Sequence, residues 1–285
     1  MRVLILGATG MLGSTVFRFF KQRSTHETWG AIRNSEMKQY LPTETHDSVY
    51  SGLDVLDQDA IVDVMQKVRP DVVINCVGLI KQLKNANDPL SVLPINSILP
   101  HRLEKLCALT GARLVHISTD CVFSGKKGYY KETDLSDAED LYGKSKFIGE
   151  LNEQKHAITL RTSIIGHELN SKYALVDWFL SQERAVKGYT KAVFSGLPTV
   201  ELARVIHDYV LPKPELSGLY HVSAQPIAKF DLLKLIAAQY QKDIQVNPDD
   251  QLVIDRSLDS IAFTDATGYI APDWPSLIAT MYQQR

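Results

Sequence analysis

MRVLILGATGMLG, residues 1–13, is the stretch whose reading decides the fold. Val3–Leu6 is a short, unbroken apolar run, the mark of a parallel strand covered on both faces. It passes directly into Gly7-Ala8-Thr9-Gly10-Met11-Leu12-Gly13, and from Gly10 to about Arg23 the residues Leu12, Val16, Phe19 and Phe20 recur at helical spacing. Glycines between a strand and a helix permit a tight turn, close backbone approach to a pyrophosphate and tight helix–strand packing. The helix N-terminus adds free N–H donors and a partial positive charge suited to phosphates. The spacing is GxxGxxG rather than GxGxxG, so its weight comes from its place in the chain. Gly7, Thr9, Gly10, Met11, Leu12 and Gly13 are the first candidate contacts to a dinucleotide.

Outward from that turn the alternation of strand and helix continues. Strands are predicted at Thr28–Ile32, Val49–Ser51, Val72–Asn75, Arg113–Ser118 and Ile158–Arg161. Helices are predicted at Gln58–Arg69, stopped by Pro70, and at Leu141–Gln154. Between them Asp88-Pro89 reads as an N-cap with Pro at the first helical position. Leu99, Leu103 and Leu106 carry the stripe on, interrupted or kinked at Pro94 and Pro100. Repeated units of this kind predict an α/β protein, a Rossmann-type doubly wound parallel sheet. After Ser163 the pattern loosens: helices at Ala174–Gln182, Thr199–Leu211 and Lys229–Gln241, and a strand at Leu219–Val222. The expected division is residues 1–163 as the dinucleotide-binding domain, with later segments interleaved, and 164–285 mainly as a small mixed α/β substrate-binding lobe.

Composition narrows the function classes. The 285 residues are 45% hydrophobic and 22% charged, as in a soluble globular enzyme. A net charge of -2 supplies no field for nucleic acid or an anionic membrane. No apolar run approaches the roughly 20 residues of a membrane span, and the first apolar run is too short for a signal-peptide core, so a cytoplasmic location is expected. Cys76, Cys107 and Cys121 form no CxxC pair, and the histidines form no HxxxH or HExxH, so neither a disulfide framework nor a metal is expected.

Five further stretches carry chemistry. Arg33 stands just after the second strand, where an acidic residue would bind a ribose 2′-OH and an Arg accepts a 2′-phosphate; the alternative is an ordinary surface Arg. Asp54, with Val55 beside it, follows the third strand and is a candidate for the adenine edge, or else a solvated loop residue. Asn75-Cys76-Val77-Gly78 closes the fourth strand with small residues that let a cofactor approach, with Cys76 a buried residue rather than a nucleophile. Ser118-Thr119-Asp120 ends the fifth strand, where hydroxyls can bond a substrate carbonyl, although turn chemistry alone also favours them. Some two dozen residues later Tyr142 and Lys146 share one helix face. Lowering a phenol's pKa from about 10 by about 3 units takes roughly 4 kcal/mol. A cation about 4 Å away supplies on the order of that at an effective dielectric of 20. The order, hydroxyl and then YxxxK, is far more specific than either part.

Together these residues resemble the extended short-chain dehydrogenase/reductases, and within them the dTDP-4-dehydrorhamnose reductase family over essentially the whole chain. The stretches that carry it are GATGMLG (7–13), PDVVINCVG (70–78), ISTDCVFSGKKGYYKETD (117–134), LYGKSKFIGE (141–150), LRTS (160–163), GLPT (196–199) and GLYHVS (218–223). The resemblance implies an NADPH cofactor, with NADH left open. It implies reduction of the C4 ketone of a dTDP- or UDP-linked 6-deoxyhexose in deoxysugar biosynthesis for surface polysaccharide. Thr119, Tyr142 and Lys146 are then the catalytic trio, and Asn96 matches an asparagine that braces the site.

The chain departs from the family in three places: Cys121 where an aromatic is usual, Ile164-Ile165-Gly166-His167-Glu168 where aromatics are usual, and a loose match at Arg256–Ser260. Thr119, Asp120, Cys121, His167 and Arg256 are therefore the expected substrate contacts, and the departures suit a UDP-linked 2-acetamido-2,6-dideoxy-4-keto sugar. Two other readings stand: an epimerase or dehydratase of the same superfamily, and a non-catalytic subunit resembling the regulatory subunit of methionine adenosyltransferase. A homodimer is left open.

Overall fold

In the computed structural model, which describes residues 1–23, 25–81 and 85–285, the chain opens strand, helix, strand as its first residues predict. The first half comprises β1 (Arg2–Leu6), α1 (Met11–Arg23), β2 (Glu27–Ile32), β3 (Val49–Ser51), α2 (Gln58–Val68), β4 (Val72–Asn75), α3 (Pro89–Leu93), α4 (Leu99–Thr110), β5 (Arg113–Thr119), α5 (Leu141–Ile148) and β6 (Ala157–Thr162). The second half comprises β7 (Ile164–Ile165), α6 (Leu175–Ser181), β8 (Ala185–Tyr189), β9 (Ala192–Phe194), β10 (Leu197–Pro198), α7 (Thr199–Val205), β11 (Gly218–His221), β12 (Ile227–Ala228), α8 (Lys229–Gln239), β13 (Gln245–Asp249), β14 (Ile254–Asp255), α9 (Ile261–Thr267) and α10 (Trp274–Gln283).

Seven strands form one sheet in the order β11-β6-β5-β4-β1-β2-β3, every pair parallel. The central strands β1 and β4 are near-continuous apolar runs because both faces are covered. Val3 and Ile5 of β1 join the core on the α1 side, whereas Leu4 and Leu6 join the core on the α2–α4 side. Strand β4 divides the same way, with Val72 and Ile74 on one face and Val73 on the other. This is a Rossmann-type doubly wound α/β fold. Strand order reverses between β1 and β4, and such a switch point opens a crevice beyond the strands' carboxyl ends.

The glycine turn sits at that crevice. Gly7 adopts φ +78°, a left-handed conformation that disfavours other residues. A Cβ on Gly13 would lie 2.1 Å from the Gly7 carbonyl oxygen, so α1 rests directly on the turn that starts it.

Two readings of the first half need correction or detail. The helix after Tyr142 ends at Ile148 rather than Gln154. The Gly149 amide closes onto Ser145 and Lys146 carbonyls, and Glu150 turns inward to Ser118 and Arg161, so a tertiary ion pair stops a segment whose local pattern would continue. The interruption expected at Pro94 is a single π-helical turn, Pro94–Ile98, and Pro100 falls in the first turn of α4, where its missing N–H costs nothing. In the second half, β11 joins the main sheet beside β6, and α7 packs along α1. The other short strands form three small sheets, β10-β7, β12-β9-β14 and β13-β8, with parallel and antiparallel pairs.

Candidate active site

Strand β5 delivers Thr119 to the carboxyl edge of the sheet, three residues past the position where His116 lies opposite Asn75 of β4. The Thr119 side chain accepts from the Cys121 amide at 3.2 Å and donates to Asp120 Oδ1 at 3.2 Å. Its hydroxyl is also near enough to the phenol of Tyr142 to favour the ionised form of that group. Tyr142 is held by the start of α5: Asp140 caps that helix, accepting from the Gly143 amide at 2.7 Å. A Cβ on Gly143 would lie 2.2 Å from the Cys121 carbonyl oxygen, so this helix start is pressed against the Thr119 turn. The tyrosine and threonine singled out from sequence are thus neighbours.

Lys146, one helical turn further, is buried and donates to the Ile117 carbonyl at 2.7 Å. Burial pulls its pKa down to about 8, against the raising effect of Glu150 and Cys76. Burial pushes the Tyr142 pKa well up, assisted by Cys121, while the Thr119 hydroxyl lowers it. Lys146 is therefore aimed at β5, and the phenol is not held acidic by it as the sequence arithmetic expects; Tyr142 keeps its proton.

The cofactor edge follows. The first-turn amides of α1 have no intrahelical acceptors, and no acidic residue occupies that turn. Asn75 accepts from the Val77 amide at 3.1 Å and bonds His116 at 3.1 Å, fixing the end of β4. Burial pushes the Cys76 thiol up to about 12, which agrees with a small packing residue. A Cβ on Gly78 would meet only Asn96 Oδ1 at 3.5 Å and Lys146 Nζ at 4.0 Å, so the loop after β4 runs beside the lysine. Asn96 ties that loop to α5: its amide accepts from Leu79 N at 2.9 Å and donates to Leu79 O at 3.1 Å and Ser145 Oγ at 3.2 Å. Arg33 lies exposed just past β2, and Asp54 accepts from the Leu56 amide in the turn after β3, where Val55 is half-buried.

The expected substrate residues divide into two places. Asp120, Cys121 and Arg256 are neighbours: burial raises the Asp120 carboxyl while Arg256 lowers it, and burial lifts the Cys121 thiol to about 11. Arg256 Nε donates to the Phe123 carbonyl at 2.7 Å. His167 lies on the lobe with both ring nitrogens engaged, by Asp177 at 2.8 Å and the Tyr240 hydroxyl at 2.7 Å.

Two features escaped the sequence reading. Lys81 pairs with Asp140 at 2.7 Å and lies 5.4 Å from the Tyr142 ring centroid, a second cation beside the phenol. Asp140 was findable as the residue that caps the helix of Tyr142; Lys81 has no local signal. Behind Thr119, Glu150 accepts from Ser118 Oγ at 2.6 Å and grips Arg161 through two bonds at 2.9 and 2.6 Å. Arg161 reaches His221 at 2.9 Å, so the ends of β5, β6 and β11 are joined by one buried polar cluster.

The sequence profile described as RmlD substrate binding domain matches residues 1–257. The chain belongs to this RmlD family. Among relatives, Methionine adenosyltransferase 2 subunit beta of Pongo abelii is 30% identical over 256 residues, 83% of this chain and 71% of the relative. The bovine protein of that name is matched over 59% of this chain and 48% of its own length. The dTDP-4-dehydrorhamnose reductase of Salmonella typhimurium is 28% identical over 234 residues, covering 79% and 73%. The dTDP-4-dehydrorhamnose reductase of Bacillus anthracis, solved in complex with NADP, superposes with a TM-score of 0.78 at 21% identity, over 99% of each chain, a likeness of fold. Among the described residues of this RmlD-family chain, no helix is long and apolar enough to cross a membrane, and no group of three or more His, Cys, Asp or Glu could hold a metal ion.

Proposed function

We propose that the chain is an NADPH-dependent reductase of the C4 ketone of a nucleotide-linked 4-keto-6-deoxyhexose, in deoxysugar biosynthesis for surface polysaccharide. The observation that carries this is the Thr119 hydroxyl beside the Tyr142 phenol at the strand ends, with Lys146 buried one turn away. The Salmonella relative's name and the shared family support the substrate class.

The residues fit a dinucleotide. Gly10, where a Cβ would meet only the Gly7 carbonyl oxygen at 3.4 Å, leaves the backbone open at the helix N-terminus, which suits a pyrophosphate. Lys146 has one hydrogen bond, to Ile117, and two further N–H donors for a ribose diol beside Gly78. Arg33 is the residue for a 2′-phosphate, with Asp54 and Val55 towards the adenine. When bound, the nicotinamide supplies the hydride that the ketone carbon accepts. Tyr142 donates its proton to the carbonyl oxygen as negative charge develops there, and Thr119 supports that oxygen with a second hydrogen bond. Asn96 keeps the Gly78–Leu79 loop against α5, so the lysine and the cofactor edge move as one unit. Asp120, Cys121 and Arg256 border the sugar beside the trio, and His167 shapes the pocket from the lobe. The loss of the usual aromatic at Cys121 favours a UDP-linked 2-acetamido-2,6-dideoxy sugar. A homodimer would be compatible with this chemistry.

A second reading rests on the relatives named as a methionine adenosyltransferase subunit, which would make the chain a non-catalytic partner. The intact trio favours the enzyme. Incubation of the protein and NADPH with dTDP- and UDP-linked 4-keto-6-deoxy sugars, with product identification, separates the two. Stereospecific oxidation of NADPH establishes the reductase, and no turnover with any sugar removes it. An isomer of a supplied sugar, formed without net NADPH loss, would instead identify an epimerase.

A further inference from the structure

Burial is the main influence that keeps the Tyr142 phenol protonated, and three ionisable groups around it add to that. Cys121 and Asp120 act from the turn after β5, and Asp140 from the start of α5. A group that passes its proton to a substrate must still carry the charge left behind. Lys146, one turn along α5, is directed to the Ile117 carbonyl. The cation that faces the acidic groups comes from another part of the chain.

Lys81, in the loop after β4, meets all three. Its Nζ pairs with Asp140 Oδ2 at 2.7 Å and lies 5.4 Å from the centroid of the Tyr142 ring. Burial raises the Asp120 carboxyl and the Cys121 thiol, and Arg256 and Lys81 pull both the other way. Arg256 is tied through Nε to the Phe123 carbonyl, whereas the Lys81 ammonium stands beside the ring itself. The loop that carries Lys81 is anchored, since Asn96 holds both the N–H and the carbonyl of Leu79. Asp140 keeps its other oxygen on the Gly143 amide, so the ammonium is fixed relative to the start of α5. At 35% and 44% exposure the Lys81–Asp140 pair adds little to stability, which leaves its place beside the ring as its distinguishing feature. An ammonium there is attracted by the neutral ring, and more strongly once the ring bears a net charge.

We propose that Lys81 is a positioning residue for proton transfer: its ammonium, held by Asp140, neutralises the acidic surround of Tyr142 and stabilises the phenolate left when the proton departs. The O–H bond of Tyr142 breaks and its electron pair stays on the phenol oxygen, while the proton goes to the ketone oxygen as the ketone carbon accepts hydride. The proposal rests on the reductase reading and adds a second cation to the Tyr142–Lys146 pair.

The test places difluorotyrosine at position 142 of the full chain, where its more acidic phenol titrates at a pH the fold survives, and follows its ionisation by fluorine NMR. In Lys81→Met the titration midpoint should rise by about 0.5 pH or more, and in Lys81→Arg it should stay near the native value. Lys126→Met, which breaks the exposed Lys126–Glu139 pair, should leave it unmoved. In the unlabelled chain, Lys81→Met should lower kcat by about threefold or more at nearly constant KM for the sugar nucleotide, and Lys81→Arg should restore it. An unmoved midpoint in Lys81→Met, an equal rise in Lys126→Met, or a fall in kcat that Lys81→Arg does not repair would overturn the proposal. A raised midpoint in a chain that turns over none of the sugars would sink the reductase reading and keep the link between Lys81 and the phenol.

Discussion

Tyr142 and Thr119 are neighbours at the carboxyl edge of the sheet, and the proposed proton donation rests on that pair. Removing the phenol hydroxyl, Tyr142→Phe, should lower kcat by about 10²–10⁴-fold and leave KM nearly unchanged, because its contact strengthens in the transition state. Thr119→Val should act in the same direction and less strongly; steady-state kinetics on folded variants checks both, and a Tyr142→Phe enzyme of normal turnover would falsify the acid assignment. Lys146 gives a pH signature. Its pKa, about 8 in the free protein, means that the cation is present below that pH and lost as pH rises through it. kcat/KM, which reports the free enzyme, should therefore fall above about pH 8. Lys146→Arg, whose charge persists, should lack that limb in whatever activity remains. Arg33 is exposed, and its proposed role is direct contact with a 2′-phosphate, so Arg33→Ala should weaken NADPH by about tenfold or more and leave NADH binding unchanged. Equal losses for both cofactors would assign Arg33 to the surface alone.

The elements that carry these residues are held by tertiary locks more than by local propensity. Helix α5 begins at a cap, Asp140, that also pairs with Lys81, and it ends where Glu150 is drawn into the cluster with Ser118 and Arg161. Glu150 and Arg161 side chains are 1% and 3% exposed, so this ion pair is screened by protein rather than water. Breaking a buried pair from one side costs about 3–5 kcal/mol, because the other charge is left unpaired. Glu150→Gln should lose a large part of that in urea unfolding, and Thr119 should be displaced with the end of β5, lowering kcat as well. A variant as stable as the native chain would show that Arg161 finds another partner. A sequence pattern could not place the end of α5, since Gly149-Glu150-Leu151 reads as readily helical as not and the decision lies with Arg161, eleven residues on.

Across the whole molecule, the switch point between β1 and β4 brings the glycine turn, the β4 loop and the β5–α5 pair to one edge. The second half closes back on that edge through β11 and through Arg256, whose guanidinium reaches the Phe123 carbonyl. If the sugar lies between this edge and the lobe, a substrate-bound structure should place it within one residue shell of Cys121, His167 or Arg256. A sugar remote from all three would assign their departures from the family pattern to loop drift.

The sequence by itself determined the sheet and which groups stand at its carboxyl edge. A continuous apolar strand entering a glycine turn has few uses, and strand ends in a parallel sheet present their residues at one edge, so Gly7–Gly13, Thr119 and the Tyr142–Lys146 face were legible from spacing. The tertiary structure alone decided which charges meet. Lys81 beside Tyr142, Glu150 against Arg161 and His167 between Asp177 and Tyr240 join residues 10 to 73 positions apart. It also turned Lys146 towards the Ile117 carbonyl, which a helical period of four could not foretell. Periodicity records which face of an element is buried; the partner of a buried charge is chosen by the packing of elements distant in the chain.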